Sequence, residues 1–151
     1  MRSSSKYVTA VHICIFLRHM PDEILSSAII AESVKTNPVV IRRLIHDLRE
    51  KDIIKSIGGP AGGFCLARDA SDISLWDIYV ATKDDELFKR PKVNPECVVS
   101  SNLKLLVHDV FTEAELSMKN TLQQTSIEDL NHNLTSILGT EEAGPAIREG
   151  R

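Results

Sequence analysis

The chain has 151 residues, of which 42% are hydrophobic and 26% are charged, and its formal net charge is −3. This length suits one ordinary domain, or a small domain with an appended element, and the composition is typical of a globular protein. The absence of any run of about 18 apolar residues excludes a membrane-spanning helix. Arg18, His19 and Met20 follow the first apolar stretch where a signal peptide would have small residues, so we expect a cytoplasmic protein.

Charge is unevenly distributed along the chain. Residues 1–68 contain ten lysines and arginines against six acidic residues, whereas residues 69–151 contain eight against fifteen. This asymmetry suggests that the N-terminal part contacts an anion, for which nucleic acid is one candidate.

A first helix is predicted over residues 5–18, where Val8 belongs to a broad apolar face. Pro21 ends this pattern, because proline does not fit a helix interior. Ser26 or Ser27 can cap a short second helix that reaches about residue 34.

A third helix follows the turn KTNP. Asn37 can cap it, and Pro38 takes the first helical position, where its missing N–H does no harm. One apolar stripe with the spacing i, i+3, i+4, i+7 runs along this helix, formed by Ile41, Leu44, Ile45 and Leu48. The pair of short helices is therefore a helix-turn-helix candidate.

The face opposite the stripe carries Val39, Arg43, His46 and Glu50, and Arg42 and Asp47 flank it. Two adjacent arginines near the start of the helix suit a recognition helix, whose early residues reach base edges and phosphates. A solvated amphipathic helix with a mixed-charge face is the alternative interpretation of the same pattern.

The stretch SIGGPAGGFCLARD contains four glycines between two short β-favouring runs. A phosphate-binding P-loop would need a Lys-Ser/Thr ending and a following helix, and neither is present. We therefore predict a β-hairpin, and a hairpin directly after a helix-turn-helix is a wing. Lys55, Ser56 and Arg68 are candidates for further contacts with a DNA backbone.

A short helix with Ser74 as its N-cap follows the wing, and Trp76 on it is expected to lie in the core. A long helix is predicted from about residue 100 to residue 124, a length of about 37 Å. Leu105 and Leu116 are expected to pack back on the first helix. A second copy of the chain is the simplest partner for the apolar stripe of the long helix, which consists of Leu103, Leu106, Val107, Val110, Ala114 and Met118.

The predicted fold is mainly α-helical with a small β-hairpin: a winged helix-turn-helix head followed by a long C-terminal dimerisation helix. We assign residues 1–82 to the DNA-binding head and residues 83–99 to a linker that is also a candidate sensor loop. Residues 100–138 form the dimerisation helices, the last of which is capped by Ser126 with Asp129. The polar tail, residues 139–151, is expected to be disordered.

The run NP-x-x-IRRL, followed by the L-x-x-x-x-I-I-x-S-x-x-G-x-x-GGF-x-LAR pattern, resembles the Rrf2-type family of bacterial winged-helix regulators, relatives of IscR, NsrR and CymR. This resemblance covers residues 1–138. It implies a homodimeric transcriptional repressor that binds a pseudo-palindromic operator in double-stranded DNA. No catalytic or metal motif appears at a known spacing, so we expect no enzymatic activity. Carried over by position, the family's DNA contacts fall on Ser4, Lys6, Asn37, Val39, Val40, Arg42, Arg43, His46, Ser56, Gly58, Gly59, Gly62 and Gly63.

The chain departs from its cluster-binding relatives in its cysteines. Those relatives carry three cysteines between the head and the dimerisation helix, whereas Cys97 is alone there, and Cys14 and Cys65 belong to the head. An iron–sulfur cluster needs several thiolate or imidazole ligands, so we predict no cluster and no other cofactor.

The signal to which such a regulator would respond stays open at this point. Cys97 lies just before the long helix, where a thiol can have a lowered pKa, and it is either a redox sensor or a small buried residue. A small-ligand pocket between the head and the long helix, with Trp76 or Phe111 as walls, is an alternative. A winged-helix interaction module that does not bind DNA is another.

Overall fold

The computed structural model describes residues 3–89 and 91–140, and of Ser3, Ser4 and Thr140 it describes the backbone alone. The side chain of Ser4 and most of the tail, from residue 141, lie outside this description. None of the described helices is long and apolar enough to cross a membrane. The elements are α1 (Ser3–His19), α2 (Ser27–Val34), α3 (Pro38–Arg49), β1 (Ile54–Ile57), β2 (Gly63–Leu66), α4 (Leu75–Thr82), α5 (Val98–Gln123) and α6 (Ile127–Thr140).

The helix-turn-helix is confirmed, and short-range hydrogen bonds define its ends. The side chain of Ser26 accepts a hydrogen bond from the Ile29 N–H, and that of Asn37 accepts one from the Val39 N–H at 2.8 Å. Lys35 ends α2 in the left-handed region with φ of 60°, which turns the chain into α3.

The core of the head lies between α1, α2 and α3. The predicted α3 stripe is confirmed, since all four of its residues are buried. Val8, expected on the buried face of α1, is 64% exposed. The face of α1 that enters the core instead carries Ala10, Ile13, Cys14 and Leu17, and Val8 lies on the opposite side of the helix.

The hairpin is antiparallel and pairs Ile54 with Leu66 and Ile57 with Gly63. Gly59 has a φ of 101°, which side chains rarely adopt, and its carbonyl accepts a hydrogen bond from the Gly62 N–H. The hairpin is fixed to the head by the Phe64 N–H, which donates to the Leu25 carbonyl at 3.0 Å.

Helix α4 begins as predicted, with a reciprocal capping box between Ser74 and Asp77. Trp76, however, is only half-buried and does not belong to the core. It packs against Tyr79, with ring centroids 5.1 Å apart, on the side of α4 that faces α5.

Helix α6 is the element that packs back on α1, and Ile127 at its start is fully buried. Arg18 forms a bidentate ion pair with Glu128, and the Ile127 N–H donates to the Ile73 carbonyl at 2.9 Å. Because α6 occupies this side of α1, the expected packing of Leu105 and Leu116 on α1 was wrong. Their exposed fractions are 79% and 54%.

Candidate nucleic-acid interface

Six of the predicted DNA contacts lie around one depression of about 630 Å³, between the start of α1 and the outer face of α3. Lys6 and Asp84 are 78 positions apart in sequence and meet here. They do so because α1 crosses the head beside α3 and the loop after α4 returns to the same place. The six are Lys6, Val39, Val40, Arg42, Arg43 and His46.

Two arginines of α3, Arg42 and Arg43, line this depression without a described ion-pair partner. Arg42 and Arg43 are both exposed, and neither forms an ion pair with any residue that the structure describes. His46 is exposed one turn further along the same face, and Val39 at the start of the helix is 47% exposed. This face therefore offers two unneutralised guanidinium groups and an apolar contact to a ligand.

Lys6 is differently placed, because two carboxylates hold its ammonium group. Its Nζ lies 3.1 Å from Asp47 Oδ2 on α3 and 2.8 Å from Asp84 Oδ1 in the loop after α4. Partial burial opposes the charge of Lys6, but the bonds to Asp84 and Asp47 outweigh it and raise the pKa of Lys6. Neither carboxylate was recognised from the sequence, since only the folded chain brings them to Lys6.

Two other predicted contacts also have structural roles. Asn37 caps α3, because its side-chain oxygen accepts a hydrogen bond from the Val39 N–H, and its side chain stays exposed. Any contact of Asn37 with a ligand would be made in addition to this bond. Val40 is half-buried and packs against the core, which leaves only part of its side chain at the depression.

Of the five predicted wing contacts, three are exposed, one is half-buried and one is buried. Ser56, Gly58 and Gly59 are exposed, and Gly62 is half-buried in the turn. Gly63, expected among the DNA contacts, is buried: a Cβ atom there would lie 2.6 Å from the Leu25 carbonyl oxygen. Position 63 therefore requires a glycine, because the chain there packs directly against the segment before α2.

Arg68 is one of the three residues considered for a contact with the DNA backbone, and it lies beyond β2 rather than at the wing tip. Its guanidinium is 3.8 Å from Asp77 Oδ2, and it borders a depression that also includes Arg18 and Glu128. This places Arg68 on the side of the head that contacts α6.

Helix α5 has no buried residue in the described chain. Four residues of the predicted dimer stripe, Leu103, Leu106, Val110 and Ala114, form a continuous exposed face. The other two are half-buried on the side of α5 that faces the rest of the chain: Val107 lies under the loop after α4, and Met118 lies beside Trp76.

The predicted pocket between head and long helix is also present. Trp76 and Phe111 line one depression of about 410 Å³, together with Tyr79 and His108. Phe111 stacks on Phe88 of the loop after α4, with ring centroids 4.2 Å apart and an interplanar angle of 20°.

The three cysteines lie in three different environments. Cys14 is fully buried in the core, as expected, and burial raises the pKa of its thiol to about 12. Cys65 is half-buried in β2, and Cys97 is exposed at the start of α5, where its Sγ accepts a hydrogen bond from the Ser100 N–H at 3.5 Å. The alternative that Cys97 is a small buried residue was therefore wrong.

A helix-turn-helix with two free arginines on its second helix, followed by a glycine-tipped wing, defines a DNA-binding protein of the winged-helix class. The comparison with known families agrees: residues 3–133 match the Rrf2 family, described as iron-dependent transcriptional regulators. The chain belongs to the Rrf2 family, which confirms the resemblance seen in the sequence. Members of this family are transcriptional regulators and not enzymes.

Individual relatives cover nearly the whole chain. YwnA of Bacillus subtilis, named as an HTH-type transcriptional regulator, is 38% identical over 133 residues, which are 87% of this chain and 98% of YwnA. A solved structure described as a DNA-binding protein is 36% identical, with a TM-score of 0.66, over 83% of this chain and 97% of its own. The structure of CymR, the global cysteine regulator of B. subtilis, shares the fold at 21% identity, with a TM-score of 0.65 over 88% and 98% of the two chains.

The iron named in the family description has no matching ligand set in the described part of the chain. Cys14, Cys65 and Cys97 lie on α1, on β2 and before α5, and Cys14 is enclosed by apolar side chains. Within residues 3–89 and 91–140, no group of three or more His, Cys, Asp or Glu side chains is close enough to hold a metal ion. Because a cluster needs several such ligands together, the described residues do not fit one.

Proposed function

We propose that this Rrf2 protein is a homodimeric repressor that binds a pseudo-palindromic operator in double-stranded DNA. The observation that carries the proposal is the exposed, unpaired state of Arg42 and Arg43 on the outer face of α3. In this role α3 enters the major groove, its arginines contact base edges and phosphates, and the wing tip at Gly58 and Gly59 approaches the backbone. Chromosomal DNA as the partner makes the cytoplasm the site of action.

The second copy of the chain is supported by the exposed apolar face of α5. Leu106 and Val110 are 68% and 67% exposed, an amount of apolar surface on one helix that a monomer rarely leaves to water. Packing of two such faces about a two-fold axis would relate the two α3 helices by the same axis. Two-fold symmetry in the protein corresponds to a pseudo-palindrome in the operator.

Selection of operators from a random duplex pool, followed by affinity measurements at two salt concentrations, tests this function. We expect an inverted-repeat consensus and an affinity that falls steeply between about 50 and 200 mM salt, because each phosphate contact releases counterions. Arg42→Ala and Arg43→Ala should each weaken binding, whereas Arg49→Ala, at the far end of α3, should not. If binding survives both substitutions, α3 is not the recognition helix. If the selection enriches no duplex at all, a winged-helix interaction module becomes the better description.

We further propose that oxidation of Cys97 weakens operator binding. Its thiol is exposed at the N-terminus of α5, and its Sγ accepts a hydrogen bond from the Ser100 N–H. Attack of the deprotonated sulfur on hydrogen peroxide would form a sulfenic acid and release hydroxide. Operator binding by Cys97→Ser should then be insensitive to mild peroxide, and an equal response of wild type and variant would show that Cys97 is not the sensor.

A further inference from the structure

The loop between α4 and α5, described over residues 83–89 and 91–97, borders a cavity of about 440 Å³ together with the N-terminal half of α5. Phe88 stacks on Phe111, and both rings line this cavity. Ser100 also lines it, and its hydroxyl accepts a hydrogen bond from the Asn94 N–H at 2.8 Å, which fixes the loop to the helix. A volume of this size is within the range of small-molecule sites.

The lining of the cavity is mainly apolar, and its charged members are cationic. Phe88, Val93, Leu103, Val107 and Phe111 are among its apolar lining residues. Its charged lining consists of lysines alone, with no carboxylate among the described residues that border it. They are Lys89, Lys92 and Lys104.

The three lysines differ in how far they are neutralised. Lys89 is paired with Asp85 at 2.8 Å, outside the cavity lining. Lys92 and Lys104 form no ion pair with any residue in the described part of the chain. Two unneutralised ammonium groups at the mouth of an apolar cavity match a ligand with one anionic group on an apolar body.

We propose that this cavity binds a small apolar carboxylic acid, with its hydrocarbon or aromatic part against Phe88 and Phe111 and its carboxylate between Lys92 and Lys104. A bound acid contacts the same loop that carries Asp84, which pairs with Lys6 beside the recognition helix. Control of operator binding by the acid rests on the proposed function, whereas the binding site itself does not. Of the exposed dimer face, Leu103 also lines the cavity, whereas Leu106 and Val110 do not.

Calorimetric titration of the full chain with 2-naphthylacetate, in the absence of DNA, tests the site. The neutral amide 2-naphthylacetamide has the same ring and nearly the same shape, so it isolates the contribution of the charge. We expect the acid to bind about tenfold more tightly than the amide, because two partly exposed ion pairs together contribute about that difference in affinity. Equal affinities for both, or no binding of either at millimolar concentration, would overturn the proposal.

Variants locate the binding site. Lys92→Gln and Lys104→Gln should each weaken binding of the acid about two- to fivefold and leave the amide unaffected, because each removes one exposed ion pair. Lys119→Gln, on the same helix but outside the cavity lining, is the matched control. Val107→Trp should fill the cavity and abolish binding of both probes, with helix content checked by circular dichroism. Equal effects of Lys104→Gln and Lys119→Gln would contradict the proposed site.

The effect on DNA is measured separately. Operator binding without any acid tests the proposed function, and the titration without DNA tests the cavity, so either can fail alone. If both hold, 2-naphthylacetate should shift operator affinity in the wild type and not in Val107→Trp.

Discussion

Lys6 Nζ lies 2.8 Å from Asp84 Oδ1, and this ion pair joins the first helix to the loop that follows α4. Asp47 of α3 contacts the same ammonium group at 3.1 Å. A residue expected to contact DNA is therefore already neutralised from two sides, and one of its partners belongs to the loop that leads to Cys97 and α5. The pair connects the head to the part of the chain that would receive a signal.

Asp84→Asn should increase affinity for operator DNA. Removal of this carboxylate leaves Lys6 with one partner and deletes a negative charge beside α3, so phosphate competes better for the ammonium group. The expected gain is about two- to fivefold at low salt, the range of a partly exposed ion pair, and it should shrink as salt is added. Fluorescence anisotropy with a labelled operator duplex measures it.

The neighbouring carboxylate provides the control for this prediction. Asp85 pairs with Lys89 and does not contact Lys6, so Asp85→Asn changes the net charge equally without freeing Lys6. Equal gains from the two variants would mean that overall charge, rather than the pair with Lys6, sets the affinity.

The features predicted correctly from the sequence depend on residues close together along the chain. The cap of Asn37, the capping boxes that begin at Ser74 and Ser126, and the buried stripe of α3 all lie within a few residues or one helix. Such local patterns constrain the backbone before tertiary packing is known.

The features that were not predicted from the sequence depend on which elements pack against each other in the folded chain. The face of α1 that is buried depends on where α3 and α6 pack, so its scattered apolar residues did not show that Val8 would be exposed. The partner of Lys6 is 78 residues away in sequence, and the role of Gly63 depends on the Leu25 carbonyl. No periodicity or motif in a single sequence contains these relationships.

Gly63→Ala should destabilise the head without directly removing a DNA contact. The added Cβ would lie 2.6 Å from the Leu25 carbonyl oxygen and 2.7 Å from Ile24 Cγ2, so the hairpin must move away from the segment before α2. Overpacking of this kind costs about 1–3 kcal/mol, measurable as a lower midpoint in urea unfolding. Gly58→Ala is the matched control, because nothing lies within 4 Å of its Cβ position. A stability loss from Gly58→Ala as large as that from Gly63→Ala would contradict this packing argument.

Leu106→Asp should convert the proposed dimer into a monomer. A carboxylate at the centre of the exposed α5 face would be buried without a partner in the dimer, at a cost of several kcal/mol, yet it remains solvated in the monomer. Light scattering coupled to size-exclusion chromatography reports the mass. Leu105→Asp, a substitution at a 79% exposed leucine on another face of α5, serves as the comparison. Dissociation by Leu105→Asp and not by Leu106→Asp would move the interface to that other face.

The burial of Cys14 predicts a decline in stability at alkaline pH. Burial raises the pKa of its thiol from 9.0 to about 12, so the unfolded chain releases this proton at a lower pH than the folded chain does. The contribution to stability is complete below pH 9.0 and is lost as the pH rises towards about 12. Within that window the free energy of unfolding should fall by at most about 1.4 kcal/mol per pH unit for this group.

Urea unfolding of wild type and Cys14→Ala, compared across the window, measures the difference in slope. Tyr7, whose pKa burial and the nearby Tyr79 raise to about 12, titrates in both proteins and cancels in the comparison. Identical slopes would mean that the Cys14 thiol is not held in its neutral form by the core.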